Sequence, residues 1–237
     1  SLPFPRTPTA LVDESNTIFA MLVGKPSGSE PWDLCMRDAE TAMEAARVRI
    51  GLQHSDHRRG NYASISTGFS FGGGQQLPMN KSHSARRQGI LADLCNTPAL
   101  QRIAGFVNYT FACYFPKLWR YYVAILDVLM AQYPDLRKLF DVTPFPMVSF
   151  NLSPNATTYE HRDAANFAPG LCGIIAGGKF DHRKGGHLVL RPLRVAIQFP
   201  LGSLVYIPSA VLEHGNTCIQ PGERRWAMVS FAAGGLF

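Results

Sequence analysis

The sequence is short of charge and of paired cysteines. Only 17% of its 237 residues are charged, below the roughly 25% usual in soluble domains. The 21 glycines and 17 prolines interrupt it too often for helical bundles or coiled coils. Its five cysteines are widely separated and form no Cys-x-x-Cys pair, which argues against a disulfide framework or a cysteine zinc site. We therefore expect a reducing, intracellular environment.

Long apolar runs are also missing. The longest, at about 121–131, contains Asp127 and falls short of the ~18 residues that a membrane span needs. The first residues, SLPFPRTPTALVDE, lack the basic start and apolar run of a secretory signal. We therefore expect no membrane partner. The 46% hydrophobic content is enough for a sizeable core, and the net charge of +6 is a weak indication of a nucleic-acid partner.

The first half of the chain has helical periodicity. Apolar residues recur at helical spacing over 32–50, and Gly51 is a plausible stop. A second helix is predicted to start at Thr97-Pro98, and a third runs from Pro116 to Pro134. The segment 54–80 is rich in Gly, Ser and Asn, which predicts strands and loops.

From Pro146 onward the apolar period becomes two, which predicts strands. The candidate strands are 147–152, 157–161, 171–177, 187–190, 194–199, 203–208, 213–217 and 225–231. Eight short strands joined by Pro, Gly or Asn turns favour an antiparallel sandwich or jelly roll over a parallel α/β sheet. We predict one α+β domain over 1–237, in which helices at about 30–135 buttress a β core at about 145–237.

The sequence His161-Arg162-Asp163 ends the second candidate strand, and His214 lies on the seventh. Residues i and i+2 of a strand share a face, so His161 and Asp163 can bind one metal ion, with His214 as third ligand. Two histidines and one carboxylate are typical of non-haem Fe(II) oxygenases. The alternative is a surface ion pair of Asp163 with Arg162. A second His-x-Asp, at 54–56, lies in a basic stretch and is predicted to be a solvated loop.

Such an oxygenase needs an electron source. If this is 2-oxoglutarate, its far carboxylate requires a fixed cation, and an arginine pairs with a carboxylate through two hydrogen bonds. Arg224 and Arg225 open the last candidate strand. Arg225 shares its face with the apolar residues Ala227, Val229 and Phe231, which favours Arg225 as the interior one of the two.

Several segments resemble one enzyme family. The segments HRDAANF, GGHLVL, PSAVLEH, GERRWAMVSF and GFSFGGGQQLP are similar to the Tet/base-J-binding-protein group of 2-oxoglutarate- and Fe(II)-dependent dioxygenases, most of all to its compact members in basidiomycete fungi. The resemblance covers about residues 58–237. It implies a double-stranded β-helix, a jelly-roll, cupin-like core. It also implies that His161, Asp163 and His214 are the iron ligands and that Arg225 anchors 2-oxoglutarate.

The resemblance also implies a substrate. The family uses dioxygen to oxidise a methyl group on a base, usually 5-methylcytosine in DNA, to 5-hydroxymethylcytosine and further products. Asn166 lies three residues after Asp163, where family members place a polar side chain that contacts the base. Such a base must leave the duplex to reach a buried metal. This reading implies a monomer located in the nucleus.

A glycine triplet followed by Gln75 is a candidate contact with nucleic acid. Glycines let a backbone approach the nucleic acid closely, and Gln75 offers an amide. Arg58 and Arg59 lie near this loop and are candidate phosphate contacts. The remaining basic candidates are Lys81, Arg86, Arg87, Arg183 and Lys184.

The chain departs from the family pattern in being short and in lacking a cysteine-rich zinc module and a long insert for gripping DNA. The alternatives are an N-methyl demethylase of adenine in DNA or RNA, a hydroxylase of proteins or small molecules, and a metal-free module that binds modified nucleic acid.

Overall fold

The computed structural model describes residues 1–53, 56–152 and 154–237. Its helices are α1 (Ser29–Ile50), α2 (Ala85–Cys95), α3 (Pro98–Tyr114) and α4 (Pro116–Gln132). Its strands are β1 (Thr9–Val12), β2 (Ile18–Gly24), β3 (Asp56–His57), β4 (Gly60–Asn61), β5 (Ser64–Ser70), β6 (Met79–Asn80), β7 (Met147–Asn151), β8 (Cys172–Lys179), β9 (Leu188–Leu190), β10 (Val195–Ile197), β11 (Leu204–Ile207), β12 (His214–Asn216) and β13 (Arg224–Phe231).

Two antiparallel sheets form the core. The larger has the order β1-β2-β11-β8-β13-β7-β5-β6, and the smaller has the order β10-β9-β12. His161 forms a backbone bridge with His214 of the edge strand β12. The bridge adds the segment around His161 to the edge of the smaller sheet. Ile174 and Val205 of the larger sheet pack in one cluster with Leu188 and Ile197 of the smaller sheet. The fold is therefore a double-stranded β-helix, as predicted.

Side-chain alternation along β13 separates two apolar layers. Trp226 and Met228 belong to the cluster that includes Ile103 and Phe111 of α3, so this face of the larger sheet packs against the helices. The alternate side chains, from Arg225 to Phe231, line a cavity between the two sheets. One face of β13 therefore packs against the helices, and its other face lines the candidate site.

The predicted helices are confirmed, with bounds of Ser29–Ile50, Pro98–Tyr114 and Pro116–Gln132. Gly51 ends α1 with φ of +74°, a conformation that glycine adopts at little cost. Three elements were not predicted: the strands β1 and β2 and the helix α2. The α2 sequence contains Gly89, and only its C-terminal half is buried, so its apolar periodicity is too short to be recognised.

The predicted strand at 157–161 is wrong. The structure retains only the single bridge at His161. The Thr157 N–H donates to Asn155 O, and the Tyr159 N–H donates to Arg59 O, so these donors are not available for a regular ladder. Asp163 lies beyond the bridge in a loop, where its N–H donates to Ser209 O at 2.9 Å. His54 and Ser55 of the second His-x-Asp lie outside the described residues.

Candidate metal centre

Three predicted ligands converge between the sheets. One ligand atom each from His161, Asp163 and His214 lies within 4.8 Å of the others. The His161 Nε2 atom is 3.5 Å from Asp163 Oδ1, and the two imidazole ring centroids are 4.5 Å apart. The bridge between His161 and His214 brings these residues together from distant parts of the chain. Arg162 points elsewhere, because its guanidinium is 3.8 Å from Glu213.

Backbone carbonyls orient both imidazoles. His161 Nδ1 lies 2.8 Å from Tyr159 O, and His214 Nδ1 lies 2.8 Å from Leu212 O. A carbonyl oxygen only accepts hydrogen bonds, so each Nδ1 carries the proton and donates it. Both Nε2 lone pairs are left for a metal ion, which is the arrangement that metal-binding histidines generally adopt.

The carboxylate of Asp163 is buried and incompletely paired. Its Oδ1 atom has no hydrogen bond within the described part of the chain, although the Arg59 guanidinium approaches it to 2.6 Å as an ion pair. Burial alone would raise the pKa of Asp163, but His161 and Arg59 lower it below its ordinary value. Burial and the neighbouring His161 lower the pKa of His214. A neutral imidazole and an ionised carboxylate are the forms that bind metal, so the three residues fit Fe(II).

Arg225 is a buried cation on the same cavity wall. Its side chain is 1% exposed, its Nη1 donates to Ala156 O, and its Nε has no partner among the described residues. Burial lowers its pKa to about 10. Arg224 is exposed and pairs with Glu40 at 3.0 Å. The prediction that Arg225 is the interior arginine is confirmed. Its positive charge has no ion-pair partner among the described residues, so a carboxylate ligand fits beside it.

Sequence reasoning missed several polar residues of the cavity. Besides the residues already described, the lining includes Tyr62, Ser149, Asn151, Thr158 and Asn216. Ser149 and Asn151 alternate along β7 with Val148 and Phe150 of the helix-facing core, so a polar inner face was detectable from the period of two. Tyr62 gave no such signal, because it lies on an irregular segment.

The predicted substrate contacts are only partly gathered at the cavity. Asn166 lines it, and its Nδ2 donates to Ser209 Oγ at 3.0 Å. Arg59 also lines it, and its guanidinium pairs with Asp163 at 2.6 Å. Gln75 and Arg58 are not part of the lining that the structure describes. The glycine loop begins beside the C-terminal segment, where an added Cβ on Gly235 would overlap Phe71 O.

Three of the other basic candidates have local partners. Arg86 donates to Arg49 O at the end of α1, and Arg183 and Lys184 pair with Asp181. Each of these side chains therefore has a local structural partner. Among the described residues, no helix is long and apolar enough to cross a membrane.

Comparison with protein-family models and with curated proteins finds no match. Among solved structures, the chain is similar to NgTET1, solved in complex with 5mC DNA, with a TM-score of 0.70 and 15% identity over 98% of this chain and 78% of that one. A 2OG-Fe(II) oxygenase-family oxidoreductase from Burkholderia pseudomallei matches at 14% identity over 98% of this chain and 95% of that chain, with a TM-score of 0.44. A Pseudomonas putida prolyl-4-hydroxylase matches at 14% identity over 94% and 96%, with a TM-score of 0.48. Of these three structures, NgTET1 has a TM-score above 0.5, and that similarity supports the fold.

Proposed function

We propose that the chain is a 2-oxoglutarate- and Fe(II)-dependent dioxygenase that oxidises the methyl group of a modified base. The observation that carries this proposal is a single cavity lined by His161, Asp163, His214 and Arg225. The first three offer the donor set typical of a non-haem Fe(II) oxygenase. The fourth is a buried cation with no carboxylate within ion-pair distance among the described residues.

Each residue has a separate task. His161 and His214 present Nε2 atoms to the metal while backbone carbonyls hold their Nδ1 protons. Asp163 supplies an anionic oxygen. Arg225 binds the distal carboxylate of 2-oxoglutarate, and its burial strengthens that ion pair because water does not screen it. When bound, Fe(II) and 2-oxoglutarate would supply oxidative chemistry in which one oxygen atom of dioxygen enters the methyl group as a hydroxyl, and the other enters succinate as 2-oxoglutarate loses carbon dioxide.

Polar residues close the pocket around Arg225. The Tyr62 hydroxyl lies 3.5 Å from Thr158 Oγ1, and both side chains are buried in the cavity wall. Burial raises the pKa of Tyr62, so the phenol stays protonated and remains a hydrogen-bond donor at neutral pH. Tyr62 is therefore suited to donate to a bound carboxylate beside Arg225.

We propose 5-methylcytosine in DNA as the substrate, oxidised to 5-hydroxymethylcytosine and beyond. The support is the similarity in fold to NgTET1, which was solved with 5mC DNA, together with Asn166 on the cavity wall. A base inside a duplex is stacked, so it must flip out to reach the metal. Arg58 and Gln75 are proposed to contact the surrounding nucleic acid from outside the cavity. A nuclear location follows from this substrate.

The test supplies Fe(II), 2-oxoglutarate and air to the purified chain with a panel of methylated DNA and RNA oligonucleotides. Mass analysis of the bases is expected to show oxidation of 5-methylcytosine with matching formation of succinate. Asp163→Ala is expected to abolish both products. Turnover of a peptide or metabolite with no oxidised base on any oligonucleotide would exclude the substrate while keeping the enzyme class.

Salt dependence provides a second measurement. A nucleic-acid substrate held by phosphate contacts loses affinity steeply as salt rises, whereas a small-molecule or peptide substrate responds weakly. Arg58→Gln is expected to reduce the salt slope of oligonucleotide binding by about one unit, as for the loss of one phosphate contact. An unchanged slope would remove Arg58 from the interface.

A further inference from the structure

The strand β1 is the first strand in the order of the larger sheet, and one of its edges is open. It pairs with β2 on one side, and none of its residues has another backbone hydrogen bond within the described part of the chain. In an antiparallel strand, the N–H and C=O groups of alternate residues point to opposite edges. The outer edge of β1 therefore presents unpaired donors and acceptors that can pair with a strand of another chain.

An apolar groove lies beside this edge. Its volume is about 680 Å³, and it is lined mainly by apolar residues of β1, β2, β9 and β10, among them Phe19 and Val195. Val12 and Ile18 oppose each other in the register of β1 and β2, and they are 48% and 47% exposed. Apolar surface next to an unpaired strand edge is typical of a site where another protein chain binds.

Charged residues of opposite sign flank β1. Arg6 precedes the strand and Glu14 follows it. Both are exposed, and neither has an ion-pair partner among the described residues. Asp13 differs, because its Oδ1 accepts the Ser15 and Thr17 N–H groups at 2.9 Å. An antiparallel copy of β1 would bring the arginine of each chain towards the glutamate of the other, so the flanking charges are complementary to themselves.

We propose that two copies of this chain associate through their β1 edges as a two-fold symmetric dimer. A two-fold axis perpendicular to the sheet keeps every side chain on its own face, so one residue of β1 must lie opposite itself. With Ala10 at that position, Thr9 lies opposite Leu11 of the second copy, and Arg6 comes beside Glu14 of the second copy. Symmetry repeats each contact, so the interface contains two of these ion pairs.

The dimer is a change from the expectation of a monomer that the family resemblance implied. The shared edge has only four residues, so we expect a weak dimer with a dissociation constant of about 1–100 μM. The inference goes beyond the proposed function and does not depend on it, because no residue of β1 lines the candidate metal site. Failure of the enzyme assay and failure of the dimer are therefore separate results.

The experiment is sedimentation of the full chain in an analytical ultracentrifuge over about 1–500 μM, in which wild type is expected to change from monomer to dimer. Arg6→Glu and Glu14→Lys are each expected to weaken association at least about ten-fold, since each places like charges together twice in the interface. The variant with both substitutions exchanges the two charges. It is expected to regain association to within about three-fold of wild type.

Lys138→Glu is the matched control, because it changes the net charge by the same amount as Arg6→Glu. Lys138 is exposed and follows Arg137, whose N–H donates to Asn80 of β6. The strand β6 is at the opposite end of the larger sheet from β1. Lys138→Glu is therefore expected to keep the wild-type dissociation constant, which separates a local ion pair from a general effect of charge.

Amide hydrogen exchange of the wild-type chain locates the interface. The N–H groups on the outer edge of residues 9–12 are expected to exchange at least about ten-fold more slowly at dimeric than at monomeric concentrations, because they become hydrogen-bonded to the second copy. This measurement needs no variant, so it decides the matter even if a charge variant does not fold.

Three results would overturn the proposal. The first is a chain that stays monomeric at every concentration, in which case the groove belongs to a different partner. The second is a dimer in which the amides of residues 9–12 gain no protection. The third is a double variant that associates as weakly as either single variant, because the two charges would then not meet.

Discussion

At the scale of single residues, Arg225 is a candidate binding residue whose burial costs free energy of folding in the absence of ligand. Its guanidinium is buried and has only the Ala156 carbonyl as a hydrogen-bond partner among the described residues. Removing a charge from water without an opposite charge beside it is unfavourable. Arg225 therefore reduces the stability of the protein without ligand, and the carboxylate ligand proposed above would restore it.

Arg225→Met is expected to leave the ligand-free protein as stable as wild type or more stable, by up to about 4 kcal/mol, and to abolish stabilisation by 2-oxoglutarate. The measurement is the melting temperature with and without 2-oxoglutarate and a divalent metal. Arg224→Met is the matched control, because Arg224 is an exposed residue paired with Glu40 and should keep the ligand-induced rise. An equal rise in both variants would exclude Arg225 as the anchor.

His214 predicts a pH dependence of stability. Burial lowers its pKa in the folded protein below the value of about 6.5 expected in the unfolded chain. The unfolded chain therefore binds more protons as the pH falls through that range, and folding becomes less favourable. The free energy of unfolding of the metal-free protein, from urea titrations, is expected to fall between about pH 7.5 and pH 5.5. His214→Gln should flatten this dependence, and an unaltered curve would contradict it.

At the scale of elements, the packing of β8 and β13 against the helices requires a glycine at position 177. Gly177 is opposite Trp226 in the register of the two strands, and an added Cβ would overlap the indole ring. Trp226 is buried between β13, to which it belongs, and Met43 of α1, so the ring has little freedom to move. The absence of a side chain at 177 therefore allows a large aromatic residue to fill the layer between the sheet and the helices.

Gly177→Ala is expected to reduce the free energy of unfolding by about 1–3 kcal/mol, as other overpacked cores do. Gly89→Ala is the control, because Gly89 lies exposed inside α2 with open space around its backbone. Helix propensity predicts that this change stabilises the protein by about 0.5–1 kcal/mol. Urea denaturation of both variants checks the sign, and equal effects would contradict the proposed packing.

At the scale of the whole molecule, the apolar core predicts that the chain folds without a metal. One apolar cluster fills the space between the larger sheet and the helices, and a second fills the space between the two sheets. Each of these apolar clusters contains more residues than the three-residue metal site. A metal ion bound at His161, Asp163 and His214 therefore adds to a structure that is already stable.

Removal of metal with a chelator is expected to lower the melting temperature by only a few degrees, since ligand binding adds a limited free energy to a folded state. The far-UV circular dichroism spectrum should be unchanged. This differs from small zinc domains, which unfold without their metal. Loss of the helix and strand signal on chelation would show that the protein needs the metal ion to fold.

Local rules were enough to predict much of this protein from its sequence. Alternation along β13 identified Arg225 instead of Arg224, because successive side chains of a strand must face opposite sides. Prolines and Gly51 fixed the ends of helices, because both residues constrain the backbone directly. The candidate metal ligands were predicted from their chemistry, and the structure brings them within 4.8 Å of one another, although the strand assigned to His161 was wrong.

Only the tertiary structure decided which distant residues meet. Arg59 looked like a phosphate contact in the sequence, but the fold brings it to Asp163. Tyr62 enters the cavity from an irregular segment, and Ser209 holds Asn166 from across the site. The sequences of these segments have no repeating apolar pattern from which their paths could be predicted. Contacts with the sheets that they cross determine where such loops lie. The sequence therefore determined the donor groups and the strand faces, and the packing of irregular segments determined how the site is held.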